Sequence, residues 1–247
     1  MNILAFFAHP DDETILSGGL LALLSKTGHN VHYLCCTRGE GGECGEPPVC
    51  AQEQLGIIRE LELTCAVQGL GGKSLNFLDY LDPLIGPENT LFSFTQDHKK
   101  LSIELADFIK KNDIEVLITH GSDGEYGHPG HLTVHQVTRE TIEREFPKIN
   151  WYTVQAFYEN SLKPHILNKN DQADWIIDIS SVLDEKINAA FCHKSQNALF
   201  VRRKSKELGK PVRVMEVIEN EESYYFANGE RDVLKNLAAV KEKLIFI

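Results

Sequence analysis

The chain has 247 residues, 42% of them hydrophobic, enough to bury one sizeable core. Its formal charge of −11 argues against nucleic acid as a partner, because such a surface needs a basic stripe. Met1-Asn2 leads straight into an apolar stretch with no basic signal-peptide region, and no apolar run approaches the ~20 residues of a bilayer span. A cytoplasmic protein without a membrane span is expected.

In chain order, Ile3 to Ala8 reads as a buried strand, Ser17 to Lys26 as a helix closed by Gly28, and Val31 to Cys36 as a second strand. Gly39 to Pro48 is a loop rich in Gly and Pro, and Glu53 to Val67 has helical spacing. The stretch Gly69-Leu70-Gly71-Gly72-Lys73-Ser74 ends like a phosphate-binding loop, but Val67 stands where its first glycine should be, so it reads as a turn. Leu75 to Phe77 is a short strand, Leu101 to Lys111 a helix, and Ile114 to Thr119 a strand. Pro129 to Glu145 is a helix with proline in its first turn, where a missing N–H does no harm. Trp151 to Tyr158 is a further strand and Val182 to His193 a helix.

The cluster Arg202-Arg203-Lys204 with Lys206 and Lys210, the one positive patch in the sequence, reads as a solvated loop. From Pro211 onward, Val212 to Val217 and Ser223 to Phe226 look like a closing hairpin. Strands spaced by helices of this length imply an α/β, Rossmann-like fold with a mostly parallel sheet flanked by helices. It is read as one domain over 1–247 with a C-terminal β extension. Six cysteines in a domain this large fit a reduced compartment better than a disulfide scaffold. Cys35 and Cys36 belong to a strand core, and Cys44 and Cys50, flanking Pro47-Pro48, are the pair placed to bridge.

Chemistry concentrates in two turns. Directly after the first strand comes His9-Pro10-Asp11-Asp12-Glu13, far more ionisable groups than a helix cap needs. Such packing is costly unless a positive charge sits among them, and a divalent metal supplies it. The second turn, Tyr126-Gly127-His128-Pro129-Gly130-His131, follows the strand that ends at Thr119. Parallel strands deliver their C-terminal ends to one edge, so the two turns can face each other. His9 and Asp12, three apart, lie on one face of the turn and can share an ion, while Asp11 projects toward a water. A catalytic zinc takes three protein ligands. His131 is the preferred third, with His128 free for proton transfer, although His131 and His135 at i, i+4 could also chelate together. Two histidines and a carboxylate suit iron(II) as well as zinc.

These motifs resemble the PIG-L/LmbE family of zinc-dependent N-deacetylases. Thr37-Arg38-Gly39-Glu40-Gly41-Gly42, Arg59-Glu60-Leu61-Glu62, Phe77-Leu78-Asp79 and Lys186 through His193-Lys194-Ser195-Gln196 also look like family segments in the expected order, covering roughly residues 1 to 200. The resemblance implies metal ligands at His9, Asp12 and His131, a general base at Asp11, a catalytic histidine at His128 and a mobile tyrosine at Tyr126. It further implies substrate contacts at Arg59, Asp79 and Glu40. Without it, Arg59 and Asp79 fit a helix-surface ion pair and a turn cap equally well. Many members carry Asp where this chain has Gly130, so His128 lacks a carboxylate that would orient and charge it.

The activity implied is metal-dependent removal of an N-acyl, chiefly N-acetyl, group from an amino sugar or glucosaminide, a small-molecule substrate. Two alternatives stand beside it: a thiol-conjugate amidase with the same machinery, and a non-catalytic Rossmann-like sugar- or nucleotide-binding protein. Homo-oligomeric assembly stays open.

Overall fold

Apolar strands alternating along the chain assemble into one eight-stranded sheet in the computed structural model, which describes residues 1–230, 232–234 and the backbone of 240–243. In chain order the principal elements are β1 (Asn2–Phe7), α1 (Asp12–Lys26), β2 (Asn30–Thr37), α2 (Leu55–Gly69), β3 (Ser74–Tyr80), α3 (His98–Lys111) and β4 (Val116–Thr119). There follow the short turn α4 (Gly124–Gly127), α5 (Pro129–Glu145), β5 (Asn150–Val154), β6 (Ala156–Phe157), β7 (Asn168–Gln172) and β8 (Trp175–Asp178). The chain then forms α6 (Leu183–Cys192), α7 (Asn197–Leu208), β9 (Glu221–Asn228) and β10 (Val240–Lys243).

The sheet order is β10-β8-β9-β5-β4-β1-β2-β3. The five strands from β5 to β3 are parallel, and β9 and β10 join antiparallel to their neighbours. The mostly parallel, Rossmann-like reading holds. Side chains of β1 alternate: Ile3, Ala5 and Phe7 pack with α1, α2 and α6, whereas Leu4, Phe6 and Ala8 pack with α3 and α5. Both faces of the sheet are therefore buried, as parallel sheets require. Strand β1 sits between β2 and β4, where the order of winding reverses, and the crevice beyond the C-terminal ends of β1 and β4 is the natural ligand site.

Several expectations need correction, among them the single strand over 151–158, which the structure divides into β5 and β6 in different sheets. Helix α1 begins at Asp12 rather than Ser17. It is buried on nearly every side, so no amphipathic stripe marks its start. Glu222 of β9 reaches into it, accepting the Gly19 and Leu20 N–H groups at 2.7 and 2.8 Å while pairing with Lys186 of α6 at 2.6 Å. The closing hairpin does not form. Val214–Glu216 is a single 3₁₀ turn, and β9 runs between β5 and β8, whose two apolar strands offer it more pairing than residues 212–217 could. The basic cluster lies on a helix, with Arg202, Arg203, Lys204 and Lys206 all in α7.

Cys35 and Cys36 are buried core residues as expected. Cys44 and Cys50 are free, and the disulfide joins Cys65 of α2 to Cys192 of α6 instead. Packing of those two helices against each other brings the Cα atoms to 5.8 Å, inside bonding range. Among the described residues no helix is long and apolar enough to cross a membrane.

Candidate metal centre and cleft

The turn after β1 enters α1 through Asp11, whose φ of 108° is a left-handed value that few non-glycine residues adopt. Two contacts hold it there. Its N–H donates to Glu13 Oε2 at 3.1 Å, and its carboxylate accepts from Arg59 Nη2 at 3.2 Å. Arg59 comes from α2, is 4% exposed, and also donates to the carbonyls of Pro10 and, at 3.0 Å, Gly39. A Cβ on Gly39 would sit 2.2 Å from that guanidinium, so glycine is what lets Arg59 pass. The α1 N-terminus adds a positive dipole end beneath the carboxylates of Asp12 and Glu13.

Asp12 is the hub. Its Oδ2 accepts the His9 N–H at 2.9 Å and lies 3.2 Å from His9 Nδ1 and 3.5 Å from His120 Nε2. Its Oδ1 lies 3.3 Å from His131 Nε2. Behind the histidines, fully buried Glu125 joins His120 Nδ1 at 2.9 Å and His131 Nδ1 at 2.5 Å. That carboxylate–histidine arrangement fixes both rings with Nε2 turned to Asp12. Burial raises Asp12, but the adjacent His131 and His120 overcome it and hold the carboxyl well below its usual value. Burial lowers His9 and His131, and their carboxylate partners more than reverse this, to about 9 and about 10.

The carboxylates that favour protonated imidazoles here would also favour a bound cation, which would displace those protons. His131 Nε2 is buried 3.3 Å from Asp12 Oδ1 and makes no hydrogen bond, which leaves a ligand nitrogen with its lone pair or N–H unsatisfied. The residues present fit a metal. Two groups close to within 4.8 Å between donor atoms: His9, His128 and His131, and Asp12, His120 and His131. The expected trio is split between them, because His9 turns Nδ1 to Asp12 and Nε2 to Asp82, 3.3 Å away.

His9, Asp11, Asp12, Arg59, Tyr126 and His128 all line one cleft of about 250 Å³. Tyr126 stands at its mouth, 59% exposed, with its ring 5.8 Å from that of His128. His128 caps α5: its Nδ1 accepts the Gly130 N–H at 3.1 Å. Burial, with His9 and His131 beside it, pushes His128 down to about 2. Asp11 is raised to about 6 by burial, against the pull of Arg59. His135 faces away and bonds the His120 carbonyl at 3.1 Å, so the i, i+4 pairing with His131 does not form.

Two expected substrate contacts lie outside the cleft. Asp79 projects outward and pairs with Arg38 at 2.5 Å, and Glu40 accepts the Asp82 N–H at 3.1 Å, supporting the loop rather than lining the cavity. Sequence reasoning passed over Asp82, His120 and Glu125. His120 was findable, since it follows β4 much as His9 follows β1. Asp82, in an irregular loop, left no such signal.

The chain matches the family model PIG-L: GlcNAc-PI de-N-acetylase over residues 4–142. It is 31% identical to a 1D-myo-inositol 2-acetamido-2-deoxy-alpha-D-glucopyranoside deacetylase of Rhodococcus jostii, across 79% of this chain and 81% of that protein. The N,N'-diacetylchitobiose deacetylase of Pyrococcus horikoshii shares the fold at 18% identity and a TM-score of 0.64, covering 92% of this chain and 84% of that one. So does a 4-carboxy-2-hydroxymuconate hydratase of Pseudomonas putida, at 20% identity and 0.63, covering 96% and 99%; the fold by itself does not decide the chemistry. With the family match extending over more than half its length, and both histidine turns inside or beside the cleft, the chain belongs to the GlcNAc-PI de-N-acetylase (PIG-L) family.

Proposed function

We propose that this chain is a metal-dependent hydrolase that removes an N-acetyl group from an amino sugar or glucosaminide. The observation that carries the reading is the buried contact of Asp12 with both His9 and His131, with His131 Nε2 making no hydrogen bond and Asp11 beside them on the cleft wall. His9, Asp12 and His131 are the proposed ligands, with Glu125 behind His131 as their orienting carboxylate. Zinc is the proposed ion, and iron(II) suits the same donors. When bound, the ion supplies a Lewis acid for the acyl oxygen and for an attacking water.

The chain's own groups do the rest. Asp11, held against the cleft by Arg59, accepts a proton from the water as its oxygen bonds to the acyl carbon. Because His128 Nδ1 accepts from Gly130, a neutral His128 carries its hydrogen on Nε2, and that N–H keeps its proton while donating a hydrogen bond to the acyl oxygen as that atom gains charge. Tyr126 offers a hydroxyl from the mouth of the cleft. As the C–N bond breaks, the proton held by Asp11 passes to the departing amine. Asp82 is the proposed polar wall of the sugar site.

The test is acetate release from N-acetylglucosamine and its methyl glycoside, before and after chelation and after zinc or iron(II) is restored. Release that disappears with the metal and returns with it supports the reading. No release in any metal state overturns it. A binding module would purify without stoichiometric metal, and a thiol-conjugate amidase would require a larger conjugate.

A further inference from the structure

A cavity of about 710 Å³ lies next to the catalytic cleft, and Tyr126 and Leu199 line both. That volume suits a drug-sized group. Its wall is mostly apolar, with Ile15, Leu162, Ile166, Phe200, Val217 and Ile218 contributing. Its charged rim comes chiefly from the basic run of α7, now in helical form. Leu199, Phe200, Arg203, Lys204 and Glu207 recur at helix spacing and share the face that borders the groove. Arg202, on another face, is engaged with Glu43 at 2.7 Å.

Lys163 joins the rim from the segment between β6 and β7. Two carboxylates, Glu207 and Glu219, also border the groove, and Glu207 is shared by Arg203 at 3.7 Å and His165 at 3.9 Å. Among the described residues neither Lys163 nor Lys204 has an ion-pair partner. In a chain of net charge −11, cations unpaired beside an apolar groove are a local reversal of the overall field.

We propose that this groove binds the aglycone of the substrate, and that the aglycone has an apolar body ending in an anionic group held by Lys163 and Lys204. The inference rests on the deacetylase reading. The amino sugar occupies the catalytic cleft, and the rest of the molecule crosses Tyr126 and Leu199 into the groove. Inositol, the aglycone in the name of the Rhodococcus relative, is a neutral polyol and matches neither the apolar wall nor the free ammonium groups. Burial and the neighbouring Lys186 push Lys163 down to about 7 against the opposing pull of Glu219 and Glu222, and a bound anion would add to that pull.

The experiment compares kcat/KM for N-acetylglucosaminides carrying methyl, hexyl, carboxyhexyl and aminohexyl aglycones. The carboxyhexyl compound is expected to exceed the methyl one by about 10- to 100-fold, the range of a hydrogen bond to a charged group plus apolar contact. The aminohexyl compound should fall below the hexyl one. Lys163→Gln with Lys204→Gln should bring the carboxyhexyl compound down to the hexyl level and leave the methyl glycoside unchanged. Equal kcat/KM across the four aglycones overturns the proposal.

Calorimetry with heptanoate and with hexyl phosphate reads the groove independently of turnover. Saturable binding that weakens about tenfold in the double variant supports the proposal, and the tighter of the two identifies the anion as carboxylate or phosphate. Binding of neither overturns it. Heptanoate binding without turnover of any glucosaminide would retire the deacetylase reading and leave the groove assigned.

Discussion

Arg59 and Asp11 form a buried ion pair at 3.2 Å, with every described bond of the guanidinium made to the chain itself. The arginine thereby clamps the left-handed turn that presents the proposed base. From the sequence, its loss should weaken sugar binding and raise KM. The geometry changes that expectation. Arg59→Ala should lower kcat by more than it raises KM, and should cost about 1–3 kcal/mol of stability by removing the guanidinium donor from Asp11 and the Pro10 carbonyl. Arg59→Lys should restore little, because one ammonium cannot reach the same three acceptors in a plane. A rise in KM alone, with kcat intact, would return Arg59 to a simple substrate contact.

Metal retention should follow the cluster around Asp12. His9→Ala, Asp12→Ala and His131→Ala should each lose metal, whereas His135→Ala should keep it, its ring being turned to the His120 carbonyl. Glu125→Gln should weaken affinity by about 10- to 100-fold through the two rings it orients. Metal analysis after dialysis against a graded chelator reads all five. Full occupancy in the His131 variant would remove it from the ligand set.

Asp79→Ala should leave kinetics unchanged and cost at most about 1 kcal/mol, since it removes an exposed pair with Arg38. Asp82→Ala should raise KM for a glucosaminide, because Asp82 lines the cleft next to His9. A KM effect at Asp79 with none at Asp82 would reverse that assignment.

Gly130 is a close-approach position. An added Cβ would meet His9 Cε1 at 3.1 Å and His128 Nδ1 at 3.2 Å, so both rings must give way. Gly130→Asp, attractive from the sequence as a way to charge His128, should therefore reduce metal affinity as well as turnover. Unchanged metal affinity with higher turnover would show that the rings yield freely.

The parts of the fold that were legible had one physical signature each. β1 and β4 are short apolar runs ending in polar turns, and α5 starts at a proline and runs to Glu145 as its spacing implies. β7, with the sequence Asn-Lys-Asn-Asp-Gln, could not be read. Its order comes from distant partners: Asn168 accepts the N–H groups of Asp123 and Glu125, and Asp171 accepts Ser122 N–H and the Thr153 hydroxyl. β9 was recognised as strand-like but given the wrong partner, because alternation sets a face and not a neighbour. At the site, the two histidine-bearing motifs put His9, Asp12 and His131 forward as the ligands proposed here. Asp82 and the Glu125 bridge depend on loop packing and on ring orientation, which no local spacing encodes.

Asp11→Asn tests the proposed chemistry most directly, because it keeps the side chain's size while removing the base. Metal content and acetate release from methyl N-acetylglucosaminide, measured on the same sample, should give wild-type occupancy and a kcat lowered by about 10²–10⁴. Wild-type turnover at full metal occupancy would contradict the assignment of Asp11 as the base.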